Sequence, residues 1–231
     1  MSWDWNYAVG ILPDLFWGVV VTVLLLTRLP EHPMERSSHR PSFDWEPLRA
    51  VARPMTILYF LVFIRSIVQV TFAQFLPLYL SRERGYAPTQ AAYILSIYLT
   101  AGALGGFLGG HMADRFGGRL VIMISMIASV PFLTLFFFAQ GALSILGLCL
   151  GGLILLFTIP VNVVMAQELV PAQSGTVSAL MMGFAWGSAG LIFIPLTGWA
   201  SDLFTMHRVL ASFLVFPVIG FFLTLKLEKT R

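Results

Sequence analysis

Apolar residues run along this chain in blocks of about twenty or more, divided by short polar stretches, and a helix needs about that length to cross the roughly 30 Å hydrocarbon core of a bilayer. The pattern predicts seven spans, over residues 8–27, 55–80, 91–111, 120–139, 143–165, 176–200 and 209–227. Between the first two lies the one long polar connector, from Arg28 to Arg53, with five arginines and Pro30, Pro33, Pro41 and Pro47, a composition that resists packing. It divides the chain into a first helix (1–28), a central loop (29–53) and a bundle of six helices (54–231), whose short connectors make neighbours antiparallel. The fold class expected is all-α, a polytopic membrane protein with about seven transmembrane helices.

Composition supports the lipid setting. The chain is 58% hydrophobic and 11% charged, with a mean hydropathy of +0.84, whereas soluble domains are about one-quarter charged. Trp3, Trp5, Tyr7, Trp17 and Trp199 lie near block ends, where aromatic rings favour the membrane interface. The net charge of +3 is split among connectors instead of forming one basic face, which argues against nucleic acid as a partner. Cys149 is the only cysteine and sits inside an apolar block as a small packing residue, so neither a disulfide framework nor a thiolate metal site is expected, and no cofactor is implied. The N-terminus lacks the basic stretch and small-residue cleavage site of a secretory signal, so the first block reads as a retained helix.

Cation counting sets the orientation. Arg28, Arg36, Arg40, Arg49, Arg53, Arg115, Arg119, Lys226, Lys229 and Arg231 fall on one side, and Arg82, Arg84 and Arg208 on the other. Ten against three places the long connector and the C-terminus in the cytoplasm. Residues 1–7 would then face outward, which suggests an upstream segment.

Pro131, Pro160, Pro195 and Pro217 fall within spans, where each costs backbone hydrogen bonds and predicts a kink, either tolerated by packing or used as a bend. Gly102, Gly106 and Gly110, with Gly105 and Gly109 beside them, predict a face open to close helix approach. Gly183 and Gly187, with Gly190 and Ser188, predict a second such face.

The most specific feature closes the third span and opens the fourth: Gly110-His111-Met112-Ala113-Asp114-Arg115-Phe116-Gly117-Gly118-Arg119. Gly110 permits close approach, Gly117 a tight turn, Asp114 can sit near a helix N-terminus, and Arg115 and Arg119 anchor the surface. A charged turn obeying the positive-inside rule is the simpler reading. The pattern resembles the cytoplasmic signature that major facilitator superfamily (MFS) transporters carry between the second and third helices of each half. The resemblance implies a gating latch built from Gly110, Asp114, Arg115, Gly117 and Arg119, whose contacts differ between outward-open and inward-open states. Leu76-Pro77-Leu78-Tyr79-Leu80 with Arg84-Gly85-Tyr86, and Gln167-Glu168-Leu169-Val170-Pro171 with Gly175-Thr176-Val177-Ser178-Ala179-Leu180, are similar to the seventh and the tenth-to-eleventh helices of the family. The similarity is greatest to fosmidomycin-resistance-type exporters. Gly198-Trp199-Ala200-Ser201-Asp202 is a degenerate echo of the latch without its arginines. On this resemblance the first span corresponds to the sixth helix of an MFS fold and residues 54–231 to its C-terminal six-helix bundle, which leaves five N-terminal helices unaccounted for.

Arg65 stands about ten residues, roughly 15 Å, into its predicted span, too deep for easy snorkelling. A charge there is costly unless it is paired or faces water. Gln69 follows one turn later on the same face, so the two could line a polar substrate pathway and contact an anionic or polar small molecule; alternatively Arg65 is structural and pairs with a carboxylate or helix end. Gln74 and Asn162 are lesser candidates for the pathway, since amides in spans often only tie helices together. Asp14 is the one acid plausibly inside a span, Glu168 reads as interfacial and His111 belongs to the turn. A proton-coupling acid is therefore expected in an N-terminal half, and neutralising Asp14 in a complete assembly should leave coupled transport intact. No zinc-binding His-Glu pattern or Gly-flanked serine with a partner histidine supports an intramembrane enzyme.

These features predict alternating-access transport by a proton-driven drug or metabolite exporter of a prokaryotic inner membrane, present as a partial chain. Its partners would be the bilayer, a small-molecule substrate, and either a separate N-terminal half or a second copy. The rival reading is a half-transporter that carries nothing and packs with or regulates a membrane partner.

Overall fold

The computed structural model describes Val20, Val23, Leu24, Arg49 and residues 51–227. The chain divides into two units, Met1–Phe43 and Asp44–Arg231. The span expected over residues 8–27, Asp14, and the central loop apart from Arg49 and residues 51–53 lie outside the described residues. In the second unit six helices are long and apolar enough to cross a bilayer: α1 (Ala52–Arg82), α2 (Pro88–Phe116), α3 (Gly118–Phe138), α4 (Gly141–Leu169), α5 (Pro171–Leu203) and α6 (Met206–Leu225). The six spans predicted here are present, and most run beyond their apolar blocks, because backbone hydrogen bonding continues through polar residues until the chain is capped.

Caps explain where the helices begin and end. Pro88 takes the first position of α2, where its missing N–H is not needed, and Gln90 Oε1 accepts from the Ala87 N–H at 3.2 Å. Gly117 ends α2 at φ +85°, a conformation that residues with a side chain rarely adopt. The chain reverses there, and α3 starts at the next residue.

Helix α1 is the most enclosed, with 67% of its apolar window buried against 22% for α5. Its Phe72 and Tyr79 pack with Phe136 and Phe137 of α3, and Phe72 also meets Tyr98 of α2. At its glycines α2 lies close against the backbone of α4. A Cβ at Gly105 would overlap the Leu153 carbonyl, and one at Gly109 the Phe157 carbonyl. Gly110 itself makes only an ordinary contact, 3.8 Å from Pro160. The second close face predicted at Gly183 and Gly187 is not found: among the described residues a Cβ at either position meets nothing within 4 Å. Small-residue spacing marks a smooth strip of helix but does not say which way it faces. Gly147, Gly151 and Gly152 of α4, which the spacing did not single out, are instead pressed against α3 and Tyr98.

Of the four prolines predicted to kink their spans two interrupt their helices, and Pro77 of α1 is a further proline inside continuous helix. The hydrogen-bond ladder of α4 is broken at Phe157, just before Pro160, and that of α6 at Phe213 and Leu214, before Pro217. Pro131 and Pro195 sit inside continuous helix. At the α4 break two carbonyls gain hydroxyl donors: Ile154 accepts from Ser125 of α3 beside the Phe157 N–H at 3.2 Å, and Leu155 accepts from Ser125 at 3.2 Å and from Thr158 at 3.0 Å. Such repair is what makes a broken helix tolerable in a bilayer. Helix α5 carries a π-helical segment, Ala179–Ala185, for which the sequence holds no obvious sign.

Candidate functional site

Both ends of the bundle are tied by polar side chains. At one end Arg119 caps the C-terminus of α6, donating to the Leu225 carbonyl at 2.9 Å and to that of Thr224 at 3.4 Å. Its cation thus meets the negative end of a helix dipole. The other members of the turn behave differently. Asp114 and Arg115 are exposed and have no hydrogen-bond or ion-pair partner among the described residues. Asp114 lies, with Gly110, Gly117 and Glu168, along a cleft of about 310 Å³ that runs from the turn to the second half of α4.

The opposite end carries a larger brace, which the sequence pattern did not reveal. Arg84 donates to the Phe136, Phe137 and Ala139 carbonyls at 2.8, 2.8 and 2.9 Å, closing the C-terminus of α3, and to the Tyr79 hydroxyl at 2.8 Å. That hydroxyl lies 2.9 Å from His207 Nδ1. Glu83 accepts from the Met206 and His207 N–H groups at 2.6 and 2.9 Å, so a carboxylate caps the positive end of α6. Helices α1, α3 and α6 are joined through these groups. The adjacent Glu83-Arg84 pair after a span was the available sign, but the backbone groups it binds lie more than fifty residues away along the chain.

Between the two ends, α1, α4 and α5 enclose a cleft of about 290 Å³ lined by Val62, Arg65, Gln69, Ile159, Val163, Met181, Met182 and Trp186. Arg65 is the fourteenth of the thirty-one residues of α1, roughly 20 Å from its start. It is 5% exposed. One of its N–H groups donates to Gln69 Oε1, while its Nε is buried with no partner. An isolated arginine at mid-membrane costs about 3 kcal/mol on insertion scales. The broken part of α4 supplies Ile159 and Val163 to this cleft, and the π-helical part of α5 supplies Met181 and Met182. Both irregular segments therefore border the one buried cation among the described residues.

The sequence candidates separate here. Arg65 and Gln69 share the cleft wall. Asn162 is fully buried beside it, with neither amide atom hydrogen-bonded, and does not line it. Gln74 is exposed, nine residues along α1 from Arg65 and so on the opposite face. Trp186, Met181 and Met182 were not anticipated. A tryptophan in mid-span, away from the interfaces where indoles gather, was the only sign of the first.

The sequence model of the Major Facilitator Superfamily matches residues 1–193 and, again, residues 58–230. The chain belongs to the major facilitator superfamily. It is 30% identical over 231 residues to the fosmidomycin resistance protein of Escherichia coli, an alignment covering 98% of this chain and 55% of that one. It is 39% identical over 131 residues to the uncharacterized MFS-type transporter YfnC of Bacillus subtilis, covering 57% of this chain and 32% of that one. The crystal structure of the MFS transporter FucP of E. coli in the outward conformation superposes with a TM-score of 0.71 at 19% identity, over 92% of this chain and 53% of FucP. This MFS chain spans about half the length of the relatives it matches. It is an integral membrane protein with the MFS fold.

Proposed function

We propose that this chain provides one wall of the substrate path of an alternating-access carrier, and that the cleft around Arg65 is the part of that wall that meets the substrate. The observation that carries the reading is the position of Arg65 and Gln69: a buried cation and an amide on one cleft in the middle of an MFS bundle, where such carriers bind their substrates between two bundles. The facing wall comes from a second bundle, either on the same natural chain, on a separate chain, or on a second copy. Resistance to fosmidomycin, the activity named for one relative, supports export of a drug or small metabolite. The carboxylates of the described residues, Glu83, Asp114, Glu168 and Asp202, all lie near helix ends, so a proton-coupling acid at mid-membrane would belong to the facing bundle. The membrane would be the inner membrane of a prokaryote with the Arg119 end in the cytoplasm, testable with a reporter fused after Arg231.

The decisive experiment is flux into vesicles containing the natural gene product, compared with Arg65→Ala. Flux lost with insertion retained supports the reading. Wild-type flux in Arg65→Ala removes Arg65 from the path, and an assembled protein that carries nothing supports a half-transporter that acts only by packing with a partner.

A further inference from the structure

We infer that the cleft around Arg65 takes an organic anion, its acidic group on the guanidinium and its apolar body against Trp186, Met181 and Met182. This rests on the proposed carrier function and names its substrate class. The cleft wall holds one guanidinium, one amide and otherwise apolar side chains, with no carboxylate. The four described carboxylates sit near helix ends, and Arg65 is roughly 20 Å along α1 from its nearer end. None of them is a counter-charge for Arg65. Gln69 Oε1 takes one guanidinium N–H, which fixes the side chain against its own helix without neutralising it. The Nε beside it is more than nine-tenths buried and has no partner. A guanidinium with one N–H held by Gln69, no carboxylate beside it and an unmatched buried Nε is suited to a carboxylate, phosphate or phosphonate. The remainder of the wall is apolar and polarisable, with an indole and two thioethers, and it selects for a hydrophobic body over a sugar-like one. Two irregular helix segments supply part of that wall.

The test uses the full natural protein purified in detergent and a matched set of probes: phenylacetate and phenylphosphonate as acids, phenylacetamide as the neutral analogue and phenethylamine as the cation. The acids should raise the unfolding temperature and bind measurably in titration calorimetry, and the amide and the amine should not. Arg65→Gln should weaken the acids by about tenfold or more while leaving the amide unchanged. Arg65→Lys, which keeps the charge and loses the fork, should retain the preference for acid over amide at reduced affinity, and it serves if Arg65→Gln does not fold. Equal binding of amide and acid, preferential binding of the amine, no binding of either acid, or undiminished acid binding in folded Arg65→Gln would each overturn the anion assignment. Flux separates the two proposals. Vesicles that carry only neutral or cationic compounds retain the carrier and lose the anion, whereas acid binding without any flux retains the anion site and loses the carrier.

Discussion

Arg65 and Gly117 show how a single residue in this chain is constrained by its surroundings. Gly117 holds φ +85° and ψ 141°, a region essentially reserved for glycine, and it joins α2 to α3 without any intervening loop. Gly117→Ala should destabilise the bundle by about 1–3 kcal/mol, read as a lower unfolding temperature in detergent. Close packing gives a matched contrast. Gly105→Ala puts a methyl group onto the Leu153 carbonyl and should cost about 1–3 kcal/mol. Gly187→Ala, where the described residues leave open space, should change stability by less than about 0.5 kcal/mol. If Gly187→Ala proved as damaging as Gly105→Ala, the assignment of the close faces to α2 and α4 would be wrong.

Among the elements, α4 links a local break to the site. Pro160 has no N–H to give to the Leu156 carbonyl, the ladder opens at Phe157, and Ser125 crosses from α3 to bond the neighbouring Ile154 and Leu155 carbonyls. Ser125→Ala should therefore cost about 1–2 kcal/mol in the native chain. The cost should fall when Pro160→Ala restores a regular ladder. A double-mutant cycle measures this as a coupling of about 0.5 kcal/mol or more, and strict additivity would mean that Ser125 is not repairing the break. The brace at the other end answers to a similar argument. Arg84→Leu leaves the Phe137 and Ala139 carbonyls without this donor, while Phe136 keeps the Ser144 hydroxyl at 2.6 Å and Tyr79 keeps His207, and faster amide hydrogen exchange should appear at the C-terminus of α3 and the N-terminus of α6 while the Arg119 end is unaffected. Uniform exchange changes across the bundle would indicate global loosening instead.

For the molecule as a whole the central prediction concerns the facing wall. The Arg65 cleft is bordered by α1, α4 and α5 of one bundle, and α5 turns Trp186, Leu191 and Trp199 outward. Some of that apolar surface meets lipid, and some would meet a second bundle. A tag after Arg231 at the chromosomal gene tells where that bundle comes from: a band near twice 25.6 kDa places it on the same chain, and a band near 25.6 kDa means that transport requires a separate partner or a second copy, or does not occur. In either case flux should need both walls.

Much of this was legible along the chain, because a bilayer constrains a sequence strongly and locally. Blocks of apolar residues long enough to span can only be helices there. Six of the predicted spans, the tight turn at Gly117 and the family likeness of the Asp114-Arg115 turn could be read without coordinates, as could the depth of Arg65 and the face it shares with Gln69 one turn on, since both lie on one helix. What depends on the rotation of one helix against another could not be read that way. The hydrophobic pattern of a lipid-embedded helix is nearly uniform around its circumference, so it does not distinguish a buried face from one in contact with lipid. That is why the close glycine contacts fell at Gly105, Gly109 and Gly147 and not at Gly183 and Gly187, and why Gln74 lies away from the cleft that Trp186 and Met182 share. The partners of Arg119, Glu83 and Arg84 are set in the same way, by long-range packing that brings helix ends together across more than fifty residues of chain.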